Sequence, residues 1–260
     1  MTGAPIDPRQ VARWRVRFAQ FAFLAVFLFA WEWASRSRFI DPLFIGRPSV
    51  IGRHLWNGVF VDHVIVKEAL WTLAGTLTAF ALGSIAGIAF GLLFAMRPMA
   101  EKFFDPLFAG LNALPRVALA PLFLLWFGLG IGSKIALGFS LTFFIVLNNT
   151  VAGARSVDPD WLVLCRTLGA SPGRIFFKVT LISAIPTIFS GLKLGLIYAL
   201  LGVIAGEIIA SQHGLGQLLT YLAGTFDTDG VFAVLIFLGV LGVLMIKAMD
   251  VLEGRLLRWR

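Results

Sequence analysis

Long apolar runs separated by short charged segments dominate this 260-residue chain. A run of roughly 20 apolar residues is long enough to cross the hydrocarbon core of a bilayer as a helix. The pattern therefore predicts an all-α integral membrane protein with about six transmembrane helices, over residues 18–34, 70–96, 117–132, 135–153, 184–206 and 231–249. The segment 103–116 is apolar but short and contains prolines, which predicts an interfacial helix or part of a broken span.

The first apolar run follows a basic segment, as it does in a secretory signal peptide. It continues into Trp31, Glu32 and Trp33 without a clear cleavage site of small residues. We interpret residues 1–17 as a cytoplasmic N-terminal segment and residues 18–34 as an uncleaved first span. Residues 18–260 then form one transmembrane domain.

The formal net charge is +8 although only 14% of the residues are charged. We interpret this excess as marking cytoplasmic loops, not a surface for nucleic acid. With the N-terminus inside, the basic residues on the inner side are Arg9, Arg13, Arg15, Arg17, Arg97, Lys102, Arg116, Arg155, Arg166, Arg174, Lys178, Arg255, Arg258 and Arg260. Those on the outer side are Arg36, Arg38, Arg47, Arg53, Lys67 and Lys134. This asymmetry predicts that both termini are cytoplasmic.

Small residues recur at every fourth position along the second predicted span, and they are Gly75, Ala79, Gly83, Gly87 and Gly91. Residues four apart lie on one face of a helix. A ridge of small residues lets another helix approach closely, so the ridge is predicted to be a packing surface.

Few residues in the chain carry recognisable chemistry. The stretch "GLGIGSK" lacks the glycine that precedes lysine in a nucleotide-binding loop, and the three histidines lack the spacing of metal ligands. An acid at membrane depth is a candidate functional residue, so Glu207 is predicted to line a transport path, and Glu32 is a weaker candidate. Asn148 and Asn149 are candidates for the path or for bonds between helices.

The predicted cytoplasmic loop 154–180 has the start and stop signals of two short helices. Asp158 followed by Pro159, and Ser171 followed by Pro172, are typical helix starts. Gly169 lies where the first helix, about 159–168, is expected to end. Along that helix, an apolar stripe at helical spacing consists of Trp161, Leu164, Cys165 and Leu168. Such a stripe needs a cover, which headgroups, the chain's own spans or a partner would supply.

The loop sequence "SVDPDWLVLCRTLGASPGRIFFKVTLISAIP" resembles the cytoplasmic loop of permease subunits of binding-protein-dependent ABC importers. Together with "LNALPRVALAPLFLLWFGLGIGSKI", "SGLKLGL" and "LLRWR", it is similar to the nitrate/sulfonate/taurine permease family from about residue 70 onward. The chain departs from the family pattern in two places. Val163, Leu164 and Cys165 replace the loop's Glu-Ala-Ala element, and Ile182 stands where proline is expected, although Pro186 remains.

The resemblance implies an ATP-driven importer in a bacterial inner membrane. Two permease copies would form the path, and two cytoplasmic ATPase subunits would carry ATP and magnesium, with no cofactor or metal on this chain. A periplasmic or lipid-anchored binding protein would deliver a small, anionic solute of the sulfonate, taurine or nitrate type. The residues expected to contact the ATPase are Asp158, Trp161, Leu164, Cys165, Arg166, Leu168, Gly169, Ala170, Ser171 and Arg174.

Two other classes of membrane protein provide alternatives. A secondary transporter or channel would work without ATP and would carry ionisable residues at mid-membrane depth, or inverted repeats with broken helices. A membrane-embedded enzyme would need nucleophiles, acids or metal ligands clustered at one depth, and no such cluster is apparent in the sequence.

Overall fold

The computed structural model describes residues 8–256, and for residues 8–13 only the backbone. Within that range the chain is helical and contains no strand. The α-helices are α1 (Pro8–Arg36), α2 (Pro42–Ile45), α3 (Pro48–Trp56), α4 (Val64–Met96), α5 (Pro98–Ala113), α6 (Ala120–Phe127), α7 (Ile131–Arg155), α8 (Pro159–Thr167), α9 (Pro172–Ile175), α10 (Leu181–Ile209), α11 (Leu215–Gly224) and α12 (Thr228–Leu256). The side chains of Arg9 and Arg13, and residues Arg258 and Arg260, lie outside the described residues, so their predicted inner location stays a prediction.

Helices α4, α7 and α10 form the tightly packed centre of the molecule. A Cβ atom added to Gly83 would lie 2.7 Å from Cβ of Thr142, and one added to Gly87 would lie 2.8 Å from the carbonyl oxygen of Phe143. At Gly91 the added atom would be 2.6 Å from Cβ of Thr150. Real Cβ contacts are longer than these, so the backbones of α4 and α7 approach as closely as they do only because these positions lack a side chain.

The other two residues of the predicted ridge contact α7 and α10 near the opposite end of α4. An added Cβ at Gly75 would lie 3.2 Å from Cγ1 of Val203. Ala79 is fully buried, and a Cβ added to Gly138 would lie 2.8 Å from that of Ala79. The structure thus places all five ridge residues in helix–helix contacts, with none on the outer surface.

The direction of these helices determines how often the chain crosses the membrane. Gly75 near the start of α4 lies against Ile131 at the start of α7, and Gly91 near its end lies against Thr150. The two helices are therefore parallel, so the segment between them must return across the membrane. That segment holds α5 and, after a break, Arg116–Phe127, bent by 85°. Counted as one broken span, this pair joins five long apolar helices to give six crossings.

Several predicted boundaries need correction. The third span, predicted over 117–132, is not one helix. Its residues belong to the 3₁₀ turn Arg116–Leu119, to α6 and to the start of α7, and the segment 103–116 forms most of α5. The helix breaks at Leu114 and Pro115. A hydropathy average over a window of residues does not reveal this break. The fifth span starts much earlier than predicted, because Pro172–Ile209 is one helical run interrupted only by the π-helical segment Phe176–Thr180.

Short helices and two half-buried acids close the predicted outer side of the molecule. Glu32 of α1 accepts hydrogen bonds from the backbone nitrogen of Ser49 at 3.0 Å and from its hydroxyl at 2.8 Å. Asp229 at the start of α12 accepts one from the backbone nitrogen of Arg47 at 2.6 Å. Both acids therefore bind the first turn of α3, where backbone N–H groups lack partners within the helix. Glu32 therefore has a structural role at the start of α3, in contrast to its predicted role on a transport path.

We expect Gly87→Leu to destabilise the protein because the new side chain must enter the contact between α4 and α7. Overpacking of this kind costs about 1–3 kcal/mol. The matched control is Gly239→Leu on α12, where an added Cβ would meet nothing within 4 Å. The melting temperature in detergent should fall for Gly87→Leu and stay near wild type for the control. Equal melting temperatures in the two variants would contradict tight packing at Gly87.

The single crossing by Pro172–Ile209 between them predicts that residues 171 and 212 lie on opposite sides of the membrane. In a Cys165→Ser background, Ser171→Cys should react with an impermeant thiol reagent only from the cytoplasmic side, and Gln212→Cys only from the periplasmic side. Both positions are exposed, so accessibility does not limit the reaction. Reaction of both from one side would overturn the six-span topology.

Candidate functional site

The loop between α7 and α10 carries a short helix with well-defined ends. The carboxylate of Asp158 accepts a hydrogen bond from the backbone nitrogen of Asp160 at 2.9 Å, and Pro159 is the first residue of α8. A side-chain acceptor at this position satisfies one of the unpaired N–H groups of the first turn. The predicted start of this helix is thus the one observed.

The end of α8 requires a glycine. Gly169 has φ +77°, and an added Cβ would meet nothing within 4 Å, so its conformation and not its packing selects glycine. The Gly169 nitrogen donates to the carbonyl of Arg166 at 2.9 Å, and the Ala170 nitrogen donates to that of Cys165 at 3.0 Å. This pair of bonds is the Schellman motif, which fixes the direction in which the chain leaves the helix.

The apolar stripe of α8 is uncovered in the single chain. The side chains of Trp161, Leu164 and Leu168 are 64%, 58% and 77% exposed, and Cys165 is half-buried. A helix that exposes this much apolar surface normally has a partner. On the other side of α8, a cavity of about 880 Å³ separates Leu162 and Arg166 from the start of α5 at Arg97 and Pro98.

The second half of the loop differs from its prediction. Ser171 occupies the N-cap position, but its side chain makes no capping hydrogen bond. The predicted second short helix is not separate, because α9 continues through the π-helical segment into α10. Arg166 and Arg174 are exposed, and Ala170 is half-buried. The loop is therefore joined to α10 by a continuous helical run.

Glu207 lies in a buried polar cluster between α4, α10 and α11. Its side chain is 4% exposed. The two carboxylate oxygens accept from the hydroxyl of Thr72 at 2.9 and 3.0 Å, and one also accepts from the backbone nitrogen of Gly216 at 2.9 Å. Thr72 accepts in turn from the nitrogen of Leu215 at 2.9 Å. Glu207 thus binds the first turn of α11, and it also lines a cavity of about 160 Å³ together with Lys134 and His213. Its role on the transport path stays a prediction.

The two candidate asparagines have different surroundings. Asn149 packs against α10, where its Cβ leaves no room for a side chain at Gly191, and its amide donates to the carbonyl of Ile145 at 2.8 Å. Asn148 is exposed and lines a cavity of about 440 Å³ between α5 and α7, together with Asn112 and Asp105. Asn148 therefore faces open space, whereas Asn149 is half-buried in a helix–helix contact.

Two basic residues in the spans have partners that sequence reasoning missed. Lys134 is buried, and its ammonium group donates to the carbonyls of Leu129 and Gly130. Lys193 lies within 2.5 Å of a carboxylate oxygen of Asp250 and of Glu253 on α12, so it forms an ion pair between helices. In residues 8–256, no group of three His, Cys, Asp or Glu side chains is arranged to hold a metal ion.

Comparison with known proteins identifies the family of the chain. Residues 69–258 match the family described as "Binding-protein-dependent transport system inner membrane component". The chain is 31% identical to the formylaminopyrimidine transport permease protein ThiX of Halalkalibacterium halodurans, over 92% of this chain and 94% of ThiX. It is 30% identical to the taurine transport system permease protein TauC of Escherichia coli, over 91% of this chain and 87% of TauC.

A solved structure shares the fold. The inward-facing MetNI methionine ABC transporter has a chain that matches with a TM-score of 0.61 and 22% identity, over 72% of this chain and 94% of that one. The resemblance to importer permeases drawn from the loop motifs is confirmed by the family match and the curated relatives, and the all-α membrane fold by this structure.

We expect Glu207→Ala to lower the stability of the protein, because it removes the acceptor for Thr72 and Gly216. Each buried donor left without a partner costs about 1–3 kcal/mol. The control is Asp62→Ala, an exposed acid in the loop before α4. The measurement is the melting temperature in detergent, which should fall only for Glu207→Ala. A normal melting temperature combined with reduced uptake would instead assign Glu207 to the transport path.

Proposed function

The chain belongs to the family of binding-protein-dependent transport system inner membrane components, and we propose that it is the permease subunit of an ATP-driven importer for a small, anionic solute. Two copies form the path across a bacterial cytoplasmic membrane, with both termini in the cytoplasm. A periplasmic or lipid-anchored binding protein delivers the solute. The proposal extends the family assignment by naming the driving reaction, the assembly and the class of solute.

The observation that carries this proposal is the uncovered stripe on α8. A helix that is capped at its start, ends in a Schellman motif and exposes Trp161, Leu164 and Leu168 is built to present an apolar surface. An amphipathic helix of this kind binds in the apolar groove of a partner. The partner is a cytoplasmic ATPase subunit, one for each permease copy, and ATP and magnesium bind there.

The class of solute is supported by the names of relatives. TauC is named for taurine, and the permease SsuC of Bacillus subtilis, 35% identical over 70% of this chain and 66% of its own length, is named for aliphatic sulfonates. Both solutes carry a sulfonate group. ThiX is named for formylaminopyrimidine, so the family also includes proteins named for other small solutes.

The alternative of a transporter that works without ATP has one structural feature in its favour. The bent pair of α5 and α6 is a broken span, which is typical of secondary transporters. The family match favours the importer, because it is described as part of a binding-protein-dependent system. Co-purification of an ATPase subunit with this chain distinguishes the two functions.

We expect Gly169→Val to weaken capture of the ATPase subunit. Valine at φ +77° carries a steric penalty of about 1–2 kcal/mol, so the end of α8 must change and the stripe is misplaced. The matched control is Gly173→Val, where an added Cβ also meets nothing within 4 Å but φ is not positive. Pull-down of the ATPase and ATP-driven uptake in proteoliposomes should decrease for Gly169→Val only.

We also expect Trp161→Ser to weaken capture of the ATPase, because it removes the largest apolar side chain of the stripe. Large aromatic residues dominate the free energy of many interfaces. The control is Val163→Ser, which removes an exposed apolar side chain from another face of α8. Normal capture and uptake for both Gly169→Val and Trp161→Ser would mean that this loop lies on the membrane surface and does not bind the ATPase.

A further inference from the structure

Arg116 occupies an unusual position in the membrane. It is the first residue after the break between α5 and the second half of the bent pair. Its guanidinium carbon lies 4.6 Å from the centre of the Phe144 ring. At 1.5 Å per residue, Phe144 is about 17 Å along α7 from Arg155 and about 20 Å from Ile131. Arg116 was predicted among the residues on the cytoplasmic side, and the structure places it near the middle of the span instead.

The hydrogen bonds of this guanidinium are incomplete. One terminal nitrogen donates to the side-chain oxygen of Asn112, one turn earlier in the chain. The face of the group stacks on Phe144, where it gains a cation–π interaction. The Nε–H group is buried and has no acceptor among the described residues. None of the ion pairs in the described part of the chain includes Arg116.

Arg116 borders, through Asn112 and Phe144, a cavity that has polar side chains among its lining residues. Asn112, its hydrogen-bond partner, lines the cavity of about 440 Å³ between α5 and α7, and so do Asn148 and Asp105. All three side chains are exposed in the single chain. A charged residue at the centre of a bilayer faces the interior of a helix bundle or a water-filled cavity and not lipid. This face of α5 and α7 therefore borders water.

The charges along this face are separated by depth. At the inner end of the cavity, Arg155 forms an ion pair with Glu101, which neutralises both. Asp105 lies seven residues before Asn112, which is about 10 Å along α5. The part of this face at mid-membrane depth is therefore cationic. The other acid of this face, Asp105, lies about two helical turns nearer the cytoplasm than Asn112 does.

We propose that Arg116 is the anion-binding residue of the translocation path, and that it binds the sulfonate or carboxylate group of the solute at mid-membrane depth. A guanidinium matches the geometry of such groups with two parallel N–H donors. Phe144 fixes the plane of the group, and Asn112 and Asn148 supply further polar contacts. This inference rests on the proposed function, since it names the residue that selects the proposed solute.

The first experiment measures the electrostatic effect of Arg116 without knowledge of the solute. Asn148→Cys is made in the Cys165→Ser full-length complex in membrane vesicles. It is labelled with the anionic reagent 2-sulfonatoethyl methanethiosulfonate and with the cationic reagent 2-(trimethylammonium)ethyl methanethiosulfonate. The ratio of the two labelling rates is compared with the ratio for a free thiol in solution. We expect the ratio to favour the anion and to fall about tenfold in Arg116→Gln.

Two matched variants show whether the change in the labelling ratio depends on the positive charge at Arg116 or follows from the loss of any nearby charge. Arg116→Lys keeps the positive charge and should keep most of the anion preference. Lys102→Gln removes an exposed positive charge from the start of α5 and should leave the ratio unchanged. The proposal is overturned if neither reagent labels Asn148→Cys, or if Arg116→Gln leaves the ratio unchanged.

A second measurement leaves Arg116 intact, so it does not depend on the folding of a variant. Sodium methanesulfonate should slow the labelling of Asn148→Cys by the uncharged reagent methyl methanethiosulfonate, because the anion occupies the site beside Arg116. Sodium chloride at the same concentration keeps the cation and the ionic strength and should slow it less, because chloride cannot accept two parallel N–H donors as a sulfonate does. Equal effects of the two salts would contradict the proposal. Capture of the ATPase subunit is scored separately. A complex that captures the ATPase but shows no anion preference refutes only the role of Arg116, whereas failure of the unsubstituted chain to capture the ATPase refutes the importer itself.

Discussion

Close contact between the backbones of α4, α7 and α10 determines where every other part of the molecule lies. The contact depends on residues with little or no side chain, such as Gly87 against the carbonyl of Phe143 and Gly202 against the backbone of Gly138. In a bilayer, lipid chains are as apolar as leucine, so helices associate through close packing and hydrogen bonds rather than through exclusion from water. Thr142 adds such a bond, from its hydroxyl on α7 to the carbonyl of Gly195 on α10 at 3.1 Å. The parallel course of α4 and α7 forces the chain between them back across the membrane, and the bent pair is the consequence.

Features that depend on a few neighbouring residues could be predicted from the sequence, whereas features that depend on distant contacts could not. The cap at Asp158, the left-handed Gly169 and the small-residue ridge of α4 are local, because each is specified by residue types within one or two helical turns. The 85° bend between α5 and α6 depends on the space left beside α7, and an average over an apolar window does not contain that information. For the same reason Arg116 was assigned to a cytoplasmic loop although it lies over Phe144.

Glu207 and Arg116 show why depth alone does not identify a residue of the path. Both are ionisable groups within spans, and both meet the usual criterion for a functional residue. The oxygens of Glu207 accept hydrogen bonds from the hydroxyl of Thr72 and the nitrogen of Gly216, so the carboxylate stabilises contacts within the fold. The guanidinium of Arg116 keeps a buried donor without an acceptor among the described residues, and its partner Asn112 lines the cavity between α5 and α7. What separates a structural charge from a candidate binding group is the number of partners that remain unfilled, and only the three-dimensional arrangement provides that number.

The continuity of the helical run Pro172–Ile209 links the proposed docking loop to the packed centre. If an ATPase moves α8, the movement reaches α10 through the loop at Gly169 and Ser171, where the Schellman motif fixes the chain direction. A packed helix does not deform gradually, because its side chains interlock at crystal-like density. The π-helical segment Phe176–Thr180 is a less regular stretch of this run, at the boundary between the loop and the span. On the proposed function, α10 therefore moves as a rigid body with α4 and α7. The bent pair follows α7, because Glu101 of α5 pairs with Arg155 and Arg116 lies over Phe144.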